Sequence, residues 1–366
     1  VYVTVDNMLL AFNTTHGEPL WSVKIHDGFA DTGGELAHPV LANGRLYFVL
    51  QNYASNSNLV WMTLEAFDAS SGHVLWHYRS SGLIEELAVD NDTIYISVPD
   101  FSKTNTRNVL LALNATDGSQ RWSTMTNASH VTSEAILNAD SHMVVKNGVI
   151  YQLLSSPVCG EKNGACLFAY RAENGALLWH SPNLLPAFAQ KNDFAFRFEG
   201  SLIAAGNALY IESRVGLCAI DASTGQLLWR QSEGSTVSLT PANQALNGPF
   251  AGKGNPGTSF VVAGSTIFHI EMTEQGNYLT TLHTSDGRVI VRKHIENFSG
   301  SLSAQESSSP KRYVGSLLLE GLLTPPMSYV FPSLGHLDAL DNRSGARLWS
   351  IRLAGGGWAV FTLAPS

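Results

Sequence analysis

Six histidines could move protons or bind a metal: His26, His38, His77, His130, His180 and His294, each read as lying in a connection between repeats. Imidazole titrates near neutral pH and is the commonest metal ligand, so several converging would make a metal centre or a pH sensor. Their separations match no ligand spacing, and scattered surface histidines need no function. Glu35, Glu85, Glu86, Glu134 and Glu199 form a second set, near the starts of expected inner strands. Gathered at one opening they would attract cations or basic peptides; spread along a solvated rim they would attract nothing in particular. The third set is aromatic. Phe188, Phe194, Phe196 and Phe198 accompany Arg197 within residues 186–198, and Phe250 lies in the Pro- and Gly-rich stretch 241–257. Interfaces favour aromatic and arginine side chains at their centres. The alternation of Phe194, Phe196 and Phe198 is equally what an inner β-strand facing a neighbouring sheet would show. No Ser/His/Asp arrangement, phosphate loop or carboxylate pair stands out. The partner-binding candidates are therefore Phe188, Arg197, Phe250, Glu35 and Glu85, with no catalytic, cofactor-binding or metal-binding residue assigned.

The chain has three cysteines. Cys159 and Cys166 bracket the hairpin-like Gly160–Ala165. A disulfide across it would imply an oxidising compartment; two free thiols are the other reading. Cys218 replaces an apolar strand residue and reads as a packed thiol. Asn-X-Ser/Thr sequons start at Asn13, Asn91, Asn114, Asn127, Asn297 and Asn342. They are either glycosylation acceptors or the by-product of turns that place Asn beside Ser and Thr.

A repeat must position all of these residues. Leu217–Trp229, LCAIDASTGQLLW, recurs at Leu9–Trp21, Leu64–Trp76, Leu110–Trp122, Leu167–Trp179 and Leu337–Trp349, and in altered form at Leu279–Val291. Every copy has Gly four places before its last residue, and all but one have Ala ten places before it, Thr281 being the exception. Two apolar stretches flank a turn whose Asp or Asn accepts backbone N–H bonds and whose Gly supplies positive φ. That predicts a hairpin with a type I turn and a glycine bulge. Asn13, Asp68, Asn114, Asp221 and Asp341 hold the accepting position; Arg171 and His283 depart from it. A second β signal precedes each copy, as in Gly44-Arg-Leu-Tyr-Phe48 and Asn207-Ala-Leu-Tyr-Ile211.

Successive copies end 46 to 62 residues apart, room for four short strands, which is one propeller blade. A lone four-stranded sheet cannot bury both faces. Stacked copies cover one another, with the small Ala leaving space for the indoles of Trp21, Trp76, Trp122, Trp179, Trp229 and Trp349 as structural wedges. The start at Val1-Tyr-Val3 matches a blade's second strand. Residues 357–363 then supply the missing inner strand of the first blade, closing the circle and removing exposed edges. The expectation is an all-β, seven-bladed propeller of four-stranded antiparallel blades. It forms a single domain over residues 1–366, within a longer chain trimmed ahead of Val1.

Composition narrows the partners. Lys and Arg total 22 against 30 Asp and Glu, a formal charge of −8, which argues against a nucleic-acid footprint and gives no attraction to anionic lipid. No apolar run is long enough to span a membrane. The short turns of each copy all emerge on one face, and long connections such as 181–200, 231–259 and 296–312 emerge on the other. Binding usually lives on variable loops carried by a rigid scaffold, so a partner is expected on the long-loop face.

The pattern Leu-X-Ala-X-Asp-X-X-X-Gly-X-X-Leu-Trp resembles the pyrroloquinoline-quinone-type (PQQ-like) propeller repeat over nearly the whole chain. A Trp-Asp repeat would end its copies in Trp-Asp, and none does. That family includes quinoprotein dehydrogenases, the barrel-assembly scaffold lipoprotein of bacterial outer membranes, and extracellular sensor modules attached to kinases. Its larger enzymes hold the quinone beneath a ring formed by adjacent cysteines and bind calcium through Glu, Asn and Asp. No two cysteines are adjacent here, and spacing assembles no such calcium cluster. The resemblance therefore implies a monomeric, non-catalytic, extracytoplasmic module without a cofactor, acting as a sensor or assembly scaffold for a protein or peptide partner. The alternative is an oxidoreductase with PQQ and calcium in a central funnel; sensing of a small ligand or carbohydrate there is a weaker third reading.

Overall fold

The computed structural model describes residues 1–5, 8–25, 40–53, 60–80, 84, 86–100, 107–125, 141–155, 165–181, 202–213, 216–231, 260–273, 276–295, 327–333, 336–341, 347–352 and 359–362. All the regular structure among them is β. The first two copies supply β1 (Tyr2–Val5), β2 (Met8–Phe12) and β3 (Pro19–Lys24), then β4 (Val40–Ala42), β5 (Arg45–Tyr53), β6 (Val60–Asp68) and β7 (Val74–Arg79). The third and fourth supply β8 (Glu86–Asp90), β9 (Thr93–Asp100), β10 (Arg107–Asn114), β11 (Gln120–Met125), β12 (Ser141–Lys146), β13 (Val149–Ser155), β14 (Ala165–Arg171) and β15 (Leu177–Ser181). The fifth and sixth supply β16 (Leu202–Ala205), β17 (Ala208–Ser213), β18 (Gly216–Asp221), β19 (Leu227–Arg230), β20 (Phe260–Ala263), β21 (Thr266–Thr273), β22 (Gly276–His283) and β23 (Val289–Ile295). The last supplies β24 (Met327–Ser333), β25 (His336–Asp341), β26 (Arg347–Arg352) and β27 (Ala359–Thr362).

These strands make seven sheets among the described residues, six of four strands and one, β24-β25-β26, of three. Within the sheets, consecutive strands pair antiparallel, as short hairpin connections dictate. In the first sheet, in the order β27-β1-β2-β3, the last strand lies beside β1 with Tyr2 opposite Thr362 and Val5 opposite Ala359. The chain divides into two compact units, one built on β1–β7 and β24–β27, the other on β8–β23.

Within the second unit, period-two alternation gives each sheet two apolar faces. On the fifth sheet, Leu217 and Ala219 pack with Phe260, Ile267 and Leu282 of the sixth. The intervening Cys218 and Ile220 turn the other way, onto Tyr151, Leu153, Leu167 and Ala169 of the fourth. The first unit repeats the scheme, with Leu9 of the first sheet against Leu46, Phe48 and Phe67 of the second. Each fully buried Leu or Phe of this kind is worth about 1.5–3 kcal/mol. Sheet-to-sheet burial is what holds each unit together.

Candidate interaction surfaces

The repeat's hairpin turn is a fixed device. At Asp221 the backbone N–H donates to Gln226 O at 2.8 Å, and Gly225 N–H donates to Asp221 O at 2.9 Å. Gly225 has φ 73°, and the register of β18 with β19 slips between Ala219 and Ile220. This is the expected turn with its glycine bulge. The Asp221 carboxylate accepts from Ser223 N and Thr224 N, both at 2.9 Å, and also from both hydroxyls. The Ser223 hydroxyl, ahead of the other contacts, holds that carboxyl below the usual range. Asn13 does the same work, accepting from Thr15 N at 2.8 Å. Where Arg171 occupies the position, Asn174 Oδ1 accepts from Ala176 N at 3.1 Å instead.

A second contact joins the two short turns of the second to fifth sheets. Ala69 N donates to Gly44 O, Ala115 N to Asp92 O, Ala172 N to Gly148 O and Ala222 N to Asn207 O, at 2.8–3.0 Å. Both turns therefore lie at one end of the sheet. The first-to-second-strand turns put Asn43, Asn91 and Asn147 at φ 50–52°, the left-handed conformation that Asn tolerates and tight hairpins require.

The indoles reach forward from one copy to the next. Trp21 Nε1 donates to Ala69 O at 3.1 Å, Trp122 to Ala172 O at 3.1 Å and Trp179 to Ala222 O at 3.2 Å. Trp229 donates to Thr284 O and Trp349 to Thr14 O, both at 2.9 Å. Each acceptor is the residue just after the turn-capping position of another copy. Behind five of the repeat indoles stands a tyrosine: Tyr210 lies opposite Ala219, which lies opposite Trp229, and the two rings meet 6.2 Å apart. The pairs Tyr2–Trp21, Tyr47–Trp76, Tyr95–Trp122 and Tyr151–Trp179 sit at 5.8–6.1 Å across the same row. The small Ala lets the rings touch over it. These tyrosines were visible in the second-strand signal, but their pairing with Trp was not legible without the register.

A cleft of about 300 Å³ opens at the short-turn end between the fifth and sixth sheets, lined by Asn207, Tyr210, Asp221, Leu228 and Thr284 among others. Four of its polar side chains engage one another in pairs. Asn207 Nδ2 donates to Asp221 Oδ2 at 3.2 Å, and Tyr210 is hydrogen-bonded to Thr284.

Phe188, Arg197, Phe250, Glu35, Glu85 and Cys159 lie outside the described residues, as do Phe194, Phe196, Phe198, His26, His38 and His130. Cys166 is buried on β14. His77, His180 and His294 are not in connections as expected; they sit on β7, β15 and β23. The outer strand continues past the Trp position because its third-strand partner does, pairing Glu65 with His77 and Phe168 with His180. His180 stacks on Phe168 with ring centroids 5.7 Å apart. Glu86 opens β8 with its carboxylate 3.7 Å from His142 Nδ1 of β12, a pairing that needed the contact between sheets to be seen. Among the described residues, no three His, Cys, Asp or Glu gather as metal ligands.

Antiparallel four-stranded sheets linked by forward-reaching indoles are the build of the PQQ-like β-propellers. The model of the family described as outer membrane protein assembly factor BamB matches residues 6–290 and 219–365, and the chain belongs to that family. A curated relative, outer membrane protein assembly factor BamB of Vibrio cholerae serotype O1, is 28% identical over 160 residues, covering 43% of this chain and 36% of the relative. The match thus spans about a third of that relative's length. Among solved structures, BamB from Moraxella catarrhalis is 16% identical with a TM-score of 0.42, covering 88% of this chain and 74% of its own. A europium-containing methanol dehydrogenase is 13% identical with a TM-score of 0.47, covering 97% and 76%.

Proposed function

We propose that the chain is a non-catalytic, extracytoplasmic seven-bladed propeller that binds a protein or peptide partner on its long-loop face, as an assembly factor or sensor module. The observation that carries the choice of face is the state of the opposite one. At the short-turn end, carboxylates, amides and turn carbonyls are spent on each other and on the indoles, which leaves specificity to the long connections. The family's description as an assembly factor supports a protein partner. Pairing of β27 with β1 and the bond from Trp349 to Thr14 support a closed ring of seven blades. A Cys159–Cys166 bridge, which their positions on either side of residues 160–165 allow, would fit an oxidising compartment.

Site-specific photocrosslinking in the source cell tests this reading. A photoreactive residue at Phe188, Arg197 or Phe250 should trap a protein of discrete mass, and one at Ser223 on the short-turn end should trap none. Crosslinks confined to Ser223 would overturn the choice of face. Tight, calcium-dependent uptake of pyrroloquinoline quinone by the purified chain would favour the oxidoreductase reading instead.

A further inference from the structure

The outermost strands are not alike. In β3, β7, β11 and β26 every second residue from the Trp position onward is at least half-buried, and β19 buries its Trp229. In β23 the copy's Trp is replaced by Val291, and every residue from Val289 to His294 is exposed. Val289, Ile290 and Val291 are 42%, 44% and 54% exposed. β23 ends the order β20-β21-β22-β23, so among the described residues no strand of that sheet lies beyond it. Three adjacent exposed β-branched residues on a terminal strand are a template for another strand.

Charge says which strand. The chain carries a formal charge of −8, yet this edge runs Arg288-Val-Ile-Val-Arg-Lys-His294 with no acidic residue. Asp286, just before it, stands 3.8 Å from Arg288. Arg292 places its guanidinium 3.9 Å from the centre of the Tyr278 ring, and His294 meets the same ring at 5.2 Å. The guanidinium and the imidazole thus lie over one face of the sheet, with Arg288 and Lys293 adding positive charge beside the apolar run. An acidic segment would be drawn to them, and a basic one repelled.

We propose that the outer edge of β23 accepts an extended segment of a partner protein, alternating apolar and acidic residues, as an added antiparallel strand. Main-chain bonds to the edge supply the pairing. Apolar side chains cover Val289 and Val291 on one face and carboxylates meet Arg292 on the other, the division of labour usual in strand addition. This surface is separate from the long-loop face.

The test uses the full chain and two synthetic strand peptides of the same apolar residues, one alternating with Glu and one with Lys, followed by fluorescence anisotropy. The Glu peptide should bind and the Lys peptide should not. Arg292→Glu should weaken the Glu peptide about tenfold and Lys293→Glu, on the other face, less so, each checked for an unchanged circular dichroism spectrum, and salt at roughly 0.5 M should also weaken it. Phe188→Ala should leave this affinity unchanged, which separates the edge from the proposed long-loop site. Equal binding of both peptides, or no effect of either charge reversal in a folded chain, overturns the proposal. So does slow exchange of the outward-pointing amides of Val289–Lys293 in the free chain, since the edge would then already be covered. A self-association that Lys293→Glu abolishes would make the occupant a second copy and overturn it too.

Discussion

Trp179 lies across Gly225 so closely that a Cβ on the glycine would stand 2.6 Å from the indole Cε3 and Cζ3 atoms. Gly225 also has φ 73°, so an Ala there meets backbone strain and an obstruction together. Gly206 is a built-in control, with φ 57° and nothing within 4 Å of its would-be Cβ. Gly225→Ala should cost about 1–3 kcal/mol more than Gly206→Ala, the usual penalty of overpacking. Urea unfolding of the two variants measures the difference directly; equal losses would show that the indole yields freely.

Trp229 is 8% exposed and donates to Thr284 O. Trp229→Ala should cost about 3–5 kcal/mol, as truncation of core aromatics does. Trp229→Phe keeps much of the apolar area and forfeits the bond, so its smaller loss should include the roughly 1 kcal/mol that such a bond contributes. Phe188→Ala should be far milder for folding than Trp229→Ala. Chemical denaturation ranks the three, and a reversed order between Trp229 and Phe188 would place core and loop wrongly.

Acid should weaken the fold through the turns. Hydroxyls of Ser70, Ser119 and Ser223 donate to Asp68, Asp117 and Asp221 and hold all three carboxyls below their ordinary value. A group so depressed in the folded state stabilises above its unfolded value and loses that contribution as pH falls through the folded one. The melting temperature should therefore drop as pH falls below about 4, the unfolded carboxyl range. Asp221→Asn should flatten that slope while preserving the turn, because Asn13 and Asn114 already fill this position elsewhere. Melting curves between pH 7 and pH 3 read both effects.

Cys218 is buried between the fourth and fifth sheets, and burial pushes its thiol up to about 12. The thiolate is the reactive form, so the folded chain should not react with a thiol reagent at neutral pH. Denatured without reductant, it should release one thiol if Cys159 and Cys166 are bridged, and three if they are not. A colorimetric thiol count distinguishes these outcomes.

The hairpin turns were legible because Asp, Asn and Gly at fixed offsets are chemistry that a turn demands locally. Leu217 and Ala219 were legible as a buried face for the same kind of reason, a period of two. The Tyr–Ala–Trp row was not. Tyr210, Ala219 and Trp229 are brought together by strand register, and nothing at any one position announces it. His180 is expected in a connection, whereas pairing with Phe168 carries the strand past Trp179. Glu86 and His142 illustrate the harder limit: residues 56 apart meet only because β8 and β12 are neighbours.

Because the indoles of Trp21, Trp122, Trp179, Trp229 and Trp349 reach forward, dependence along the chain has a direction. The fourth sheet supplies the key and the fifth the lock, as Trp179 does with Gly225 and Ala222. Damage to a lock should loosen the sheet that precedes it before the sheet that carries it. Inheritance of such a chain by duplication is correspondingly undemanding, since a new copy arrives with one key and one lock and needs no accommodation from either neighbour.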